Sequence, residues 1–221
     1  MKRVLIVVEG QTEERFVKTV LRPALEASHL YMAPTIVVTK VVKDGPNFKG
    51  GLRSFGQFRD HVSRVLAGSG GALVTCFIDY YALPSDFPGM ATRPKGGNAQ
   101  QRVSHVEAAM AVAIGAPNFL PFIALHEYEA LLFSDTVTVP ALLTDPERQP
   151  AFAAIAGMVA PEEINEGPET APSKRLLKLF PTYRKVLHGP TAAERIGLNV
   201  IRARCPHFAQ WFGQLEAYAV A

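Results

Sequence analysis

Three acids end apolar runs in this chain. Glu9 follows Val4-Leu5-Ile6-Val7-Val8, Asp79 follows the apolar run 73–78, and His126 with Glu127 follows the run 119–125. Glu13 comes four residues after Glu9, one turn further if a helix begins there. Taken singly, each acid serves equally well as a strand-end cap turned to water. Taken together they have a different chemistry. Clustered carboxylates repel, and burial raises their pKa values unless a cation neutralises them. An all-oxygen set of this kind suits Mg²⁺ or Mn²⁺ better than zinc.

The elements that must position these groups follow from the apolar pattern. Short runs rich in β-branched residues read as strands buried on both faces. The first such run meets Gly10, which permits a sharp exit. Gln11-Thr12 then offers a helix N-cap, with Glu13 and Glu14 in the first turn. Phe16, Val17, Val20, Leu21, Ala24 and Leu25 form a helical stripe, which Pro23 must kink or restart. The pattern predicts a second strand over 35–42, a glycine-rich loop over 43–56 carrying Lys43, Lys49 and Arg53, a helix over 55–66 and a third strand over 73–78. Residues 80–98 form a long irregular loop, of a length that is more often functional than accidental. A helix over 99–114 and a fourth strand over 119–125 follow. The alternation predicts an α/β fold with a mainly parallel four-stranded sheet, its site at the carboxyl ends of the strands. Beyond Ser134, short helices separated by prolines lead to a last helix over 206–219. The expected organisation is an α/β core over 1–134 and a helical, basic C-terminal extension over 135–221 packed on it.

The 221 residues are 48% hydrophobic and 19% charged, ordinary globular values that suffice for one sizeable core. No apolar run approaches the ~18 residues of a membrane helix. The N-terminus lacks the pattern of a signal peptide. Two cysteines provide no disulfide framework, and Cys76 lies in an apolar strand. These features predict a cytoplasmic protein without membrane contact. Charge is unevenly spread. Residues 174–204 hold eight basic residues against one acid, a net +7 in a chain of net +3. A segment of that kind faces a polyanion. Ser173-Lys174-Arg175, after Pro172, reads either as a helix N-cap with a solvated basic face or as a phosphate site at a helix N-terminus. Tyr183 and Tyr81 read either as stacking surfaces for bases or as packing. His126-Glu127-x-x-Ala130 lacks the second histidine of a zinc-protease helix, and Cys205-x-His207 has no partner pair, so neither is a zinc site.

Val8-Glu9-Gly10 with Glu13 resembles the first motif of Toprim domains, above all the variant in overcoming-lysogenization-defect (OLD) nucleases. Asp79-Tyr80-Tyr81 resembles their Asp-x-Asp pair, with Tyr81 in place of the second aspartate. A phenol is a poor ligand near pH 7, and Glu127, Glu129 or Asp86 are the residues available to compensate. These stretches, with His126-Glu127-Tyr128-Glu129-Ala130-Leu131-Leu132-Phe133, Pro172-Ser173-Lys174-Arg175-Leu176 and Cys205-Pro206-His207-Phe208, are together similar to domain-of-unknown-function family 4276. That resemblance implies a Toprim-like fold and an AAA/ABC-type ATPase partner, as in prokaryotic defence systems.

The expectation is a Mg²⁺- or Mn²⁺-dependent nuclease acting on DNA or RNA. Glu9 and Asp79 would be catalytic metal ligands, with Glu13 and Glu127 assisting and His126 and Glu129 auxiliary. Lys174, Arg175 and Lys185 would neutralise phosphate, with Ser173 and Tyr183 beside them. The alternative is a non-catalytic Toprim-fold subunit that binds nucleic acid or regulates an ATPase complex; the tyrosine at position 81 favours it, and the retained acids oppose it. No Walker-A lysine loop is present, so any use of ATP belongs to a partner.

Overall fold

The computed structural model describes residues 1–40, 48–49, 51–164, 167 and 169–220. The expected end of the second strand at 41–42, and Lys43 of the glycine-rich loop, lie outside the described residues.

The chain begins with strand β1 (Lys2–Val8), then α1 (Gln11–Phe16), a π turn (Val17–Leu21) and α2 (Arg22–Glu26). Pro23 has no N–H to give, and the turn before it widens, with Arg22 N–H bonding Val17 O. The helix therefore neither breaks nor restarts at a gap. Strand β2 (Leu30–Ile36) starts five residues earlier than the β-branched run suggested. Leu30 and Met32 are fully buried, and burial rather than branching sets the strand's start. Strand β3 (Val38–Lys40) pairs antiparallel with β4 (Phe48–Lys49) as a separate ribbon. Next come α3 (Phe55–Ala67), β5 (Leu73–Asp79), the long loop and α4 (Ala99–Ile114). Helix α4 starts with a reciprocal cap between Asn98 and Gln101.

The expected fourth strand over 119–125 is two short strands, β6 (Phe119–Leu120) and β7 (Ile123–Ala124), both beside β5 in one continuous register. Pro121 cannot donate to the ladder, which interrupts the strand. The Cys76 thiol fills the gap, accepting from Phe122 N at 3.3 Å and lying 3.4 Å from Phe122 O. All pairs in the main sheet are parallel, in the order β2-β1-β5 with β6 and β7 sharing the outer side of β5. The connection runs outward from β1 to β2 and then returns to β5 on the other side. The reversal makes the carboxyl ends of β1 and β5, where Glu9 and Asp79 stand, a topological switch point of the kind at which open α/β sheets form sites.

The strand alternation divides the core. Val7, Val74, Cys76 and Ile78 face α3 and α4. Val4, Ile6, Val8 and Phe77 face α1 and the helices that follow Ser134. Those helices are α5 (Thr138–Leu142), α6 (Gln149–Met158), α7 (Pro172–Leu179), α8 (Lys185–Ile196), α9 (Leu198–Arg204) and α10 (Pro206–Val220). Residues from both sides of position 134 share this second core. Trp211 stacks on Phe122 at 4.4 Å, and its indole N–H donates to Thr75 Oγ1 at 3.0 Å. Glu162 accepts the first backbone N–H groups of α10, from His207 and Phe208, both at 2.9 Å. Among the described residues no helix is long and apolar enough to cross a membrane.

Candidate functional site

Four carboxylates and one ammonium gather at the carboxyl end of the sheet. Glu9 leaves β1, and its Oε2 accepts the Asp79 backbone N–H at 3.4 Å. Asp79 ends β5 and accepts the Tyr128 N–H at 2.8 Å. Glu13, on α1, is 3% exposed. Glu129 comes from a 3₁₀ turn (Tyr128–Ser134) and is completely buried. Lys185, the first residue of α8, reaches into this group. Its Nζ is 3.1 Å from Glu129 Oε2, 3.4 Å from Asp79 Oδ2 and 3.8 Å from Glu13 Oε1.

The placement of Lys185 follows from how α8 docks. Pro190 lies inside α8 and has no N–H for the Val186 carbonyl one turn back. Arg15, on α1, donates to that carbonyl and to Leu187 O, both at 3.3 Å, and to Thr191 Oγ1 at 3.2 Å. Gly189 lets α8 settle on two tyrosines: a Cβ there would lie 3.0 Å from the Tyr183 hydroxyl and 3.1 Å from Tyr128 Cε1. The proline, the glycine and Arg15 together hold the start of α8 over the end of β5.

One ammonium is too little charge for four carboxylates. Burial, and then the charge of Asp79, push Glu9 and Glu13 up to about 7. Burial pushes Glu129 up to about 7 against the pull of Lys185. For Lys185 burial is the largest effect and opposes its charge, but Asp79, Glu129 and Glu13 outweigh it and lift its pKa above the ordinary lysine value.

The other sequence-predicted residues lie elsewhere. Glu127 is turned to α7, where it accepts Ser173 N–H at 2.8 Å and the Ser173 hydroxyl at 3.0 Å. Two expectations change as a result. Ser173 is not the N-cap, because α7 begins at Pro172, and the helix end expected to take a phosphate already holds a carboxylate. Glu129, two residues on, is the acid that joins Glu9, Glu13 and Asp79. His126, 3% exposed, takes a left-handed backbone conformation (φ 65°) that redirects the chain out of β7. Its carbonyl accepts the Tyr81 N–H at 2.7 Å. Asp86 accepts the Phe55 N–H at 2.9 Å and so serves the start of α3.

Lys174 is exposed on α7, whereas Arg175 bonds Thr170 O at 2.7 Å. Arg202 forms a two-pronged pair with Glu216 at 2.9 and 2.8 Å. Part of the basic segment is therefore neutralised internally. Tyr183 is 5% exposed with its hydroxyl 3.5 Å from Glu129 Oε1, and that burial leaves no ring face for a base. Sequence reasoning missed Arg15 and Gly189; the only signal was a Gly-Pro pair inside a helical stretch.

The donor set fits a hard divalent cation in kind: every group is a carboxylate oxygen, and three of the four carry pKa values raised first by burial and then by neighbouring acids. As they stand, no three such side chains among the described residues converge as a ready cage.

Comparison with known proteins agrees with the architecture. No curated protein matches. The fold is similar to the C-terminal region of the Burkholderia pseudomallei OLD protein, with a TM-score of 0.50 and 14% identity over the whole of both chains. The C-terminal region of the Xanthomonas campestris pv. campestris OLD protein aligns with 98% of this chain and 97% of its own, at 14% identity and a TM-score of 0.42. The family profile described as Domain of unknown function (DUF4276) matches residues 8–216, so the chain belongs to that family.

Proposed function

We propose that this protein is a divalent-metal-dependent phosphodiesterase acting on nucleic acid, with Glu9, Glu13, Asp79 and Glu129 as the Mg²⁺ or Mn²⁺ ligand set. The observation that carries this reading is the meeting of four acids and Lys185 at the adjacent carboxyl ends of β1 and β5. Glu129 takes the place first expected of Glu127. A divalent cation held there supplies Lewis-acid polarisation of a phosphoryl oxygen and acidification of an attacking water. The chain's own residues do the rest. Lys185 carries a fixed positive charge and three N–H donors toward a phosphate oxygen. Burial and the charge of Asp79 hold the pKa values of Glu9 and Glu13 near 7 without a cation, so a cation bound there would displace protons from them. Exposed Lys174 and Arg184 add attraction for the phosphate backbone. The family resemblance adds an AAA/ABC-type ATPase as partner, in a prokaryotic defence-type system.

Two observations favour a second reading, a non-catalytic nucleic-acid-binding or regulatory subunit. Lys185 already pairs with Asp79 and Glu129, and Tyr81 occupies the position of a second aspartate. Incubation of purified protein with plasmid, single-stranded DNA and RNA separates the two. Mg²⁺ or Mn²⁺ is supplied with and without the ATPase, and Asp79→Asn is the control. Metal-dependent cleavage lost in Asp79→Asn supports the enzyme. Absence of cleavage in every combination supports the subunit.

A further inference from the structure

Lys185 stands where local structure opposes its charge. It is the first residue of α8, and a cation there meets the positive end of the helix dipole. The acids hold it in place: Glu129 Oε2 at 3.1 Å, Asp79 Oδ2 at 3.4 Å and Glu13 Oε1 at 3.8 Å. These are ion-pair distances around a nitrogen. A small divalent cation draws its oxygens in to about 2.1 Å, so those of Glu129 and Asp79 must each close by about 1 Å or more to grip one at the same point. The ammonium cannot stay while they do, because two cations so close repel. The side chain can leave without moving its helix. Arg15 anchors the next turn through Val186 O and Leu187 O, and the lysine, 39% exposed, carries its charge on a flexible four-carbon stem. A separate observation points to a ligand at this place. The Tyr128 hydroxyl is buried, lies in the field of Glu129, Glu13, Lys185 and Asp79, and has no hydrogen-bond partner among the described residues. Such a group is costly to bury, and a water retained by a bound cation would satisfy it.

We propose that Lys185 is an exchangeable stand-in for the divalent cation: it occupies the cation's position among Glu13, Asp79 and Glu129, and it swings out toward the phosphodiester when the cation binds. The inference deepens the nuclease reading and rests on it for the cation and the substrate. The acids pass from the ammonium to the cation, and the ammonium passes from the acids to a phosphate oxygen. Each ligand takes the partner that the other must release, so binding of either should favour binding of the other. The exchange reconciles the two demands on one side chain: Lys185 is paired with acids, and the substrate requires its charge. It also gives the lysine a use at the start of α8, where the helix dipole alone would select an acid.

The test reads cation binding and the lysine itself, apart from cleavage. Calorimetric titration with Mn²⁺ compares wild type, Lys185→Met and Arg184→Met, each checked for folding by circular dichroism. Lys185→Met should bind Mn²⁺ about tenfold more tightly than wild type, because its acids have no ammonium to give up. Arg184→Met removes an equal charge one residue earlier, from an exposed position, and should change the affinity by about threefold at most. Because loss of the lysine can also weaken the fold, wild type is followed by itself through acetylation with an amine-reactive ester at constant ionic strength, read at each lysine by mass spectrometry. Saturating Mg²⁺ should raise acetylation of Lys185 by about threefold or more and leave exposed Lys174 unchanged. A Mn²⁺ affinity in Lys185→Met equal to or below that of wild type would overturn the proposal. So would acetylation of Lys185 that is indifferent to Mg²⁺ in a protein that binds it. Binding of Mn²⁺ by neither wild type nor Lys185→Met removes the metal reading and the exchange with it. Cation binding that exposes Lys185 in a protein that cleaves nothing supports the exchange and removes the nuclease reading.

Discussion

The ammonium of Lys185 lies 3.1 Å from a carboxylate oxygen of Glu129, a residue with no solvent exposure, and 106 positions separate that lysine from Asp79, its other close partner. The pair places a long-range positive charge inside a group of acids that otherwise repel. Lys185→Met should therefore weaken folding in metal-free buffer. Removing one partner of a buried pair costs about 3–5 kcal/mol. Here the lysine side chain is 39% exposed, so solvent screening reduces the expected loss to about 1–3 kcal/mol at pH 8.

The loss should depend on pH with a definite sign. Glu9, Glu13 and Glu129 have folded pKa values raised to about 7 from 4.5, so the stability they contribute is full below about 4.5 and is lost as pH rises through about 7. Without Lys185 those values rise further, and the deficit relative to wild type widens with pH. Urea unfolding of both proteins in EDTA at pH 5.5 and pH 8 checks this. A deficit that shrinks at pH 8 contradicts the ion-pair account.

Gly189→Ala tests how α8 is held. The added methyl would press on the Tyr183 hydroxyl and Tyr128, and overpacking of this kind costs about 1–3 kcal/mol. It should also push Lys185 away from Asp79 and so reduce any cleavage more than it reduces binding to nucleic acid. Thermal melts with parallel binding and cleavage assays measure both. An unchanged melting temperature would mean that α8 does not press on Tyr183 and Tyr128 as tightly as Gly189 implies.

Much of this site is legible in the sequence, and the unread part has a common cause. Glu9 and Asp79 stand out because each ends an apolar run, a local pattern that needs no tertiary knowledge. The choice between Glu127 and Glu129 cannot be made that way. Strand alternation, with its period of two, would put both on one face, and it is a left-handed turn at His126 and a 3₁₀ turn that decide which one faces the cluster. Lys185 is harder still. In a run of cations it reads as one more surface charge, and only the docking of α8 through Arg15, Gly189 and Pro190 brings it to the acids. Lys174, the more conspicuous cation by motif, stays exposed on α7. Pro121 divides the last strand and the Cys76 thiol bridges the gap, a compensation no periodicity reveals.

A second pH effect lies away from the site. His207 Nε2 is 3.1 Å from Glu107 Oε1, stacked on Phe122. Burial is the largest influence and opposes the imidazolium, but the hydrogen bond and charge of Glu107 lift its pKa above the ordinary 6.5. The stability it contributes is full below about 6.5 and is lost as pH rises through the folded value. Glu107→Gln keeps an acceptor for the Ile123 N–H, bonded at 2.8 Å, and removes the charge. Between pH 6 and 8.5 the wild type should lose more stability than the variant, by about 1–2 kcal/mol, the scale of a charged hydrogen bond. Parallel pH profiles would contradict this assignment.

Under the proposed function, Glu9 and Asp79 hold a divalent cation at a site that cleaves phosphodiesters. It is tested by the initial rate of plasmid and single-strand cleavage in Mg²⁺ or Mn²⁺, with and without an AAA/ABC-type ATPase, for wild type, Glu9→Gln and Asp79→Asn. Calorimetric titration of each protein with Mn²⁺ runs alongside. Both changes preserve size and remove a ligand charge. Wild type should cleave in a metal-dependent way, each variant should lose at least a hundredfold (about 2.7 kcal/mol of barrier), and Mn²⁺ binding should weaken with the fold intact. Cleavage by Asp79→Asn at the wild-type rate, or Mn²⁺ binding indifferent to both substitutions, would contradict it.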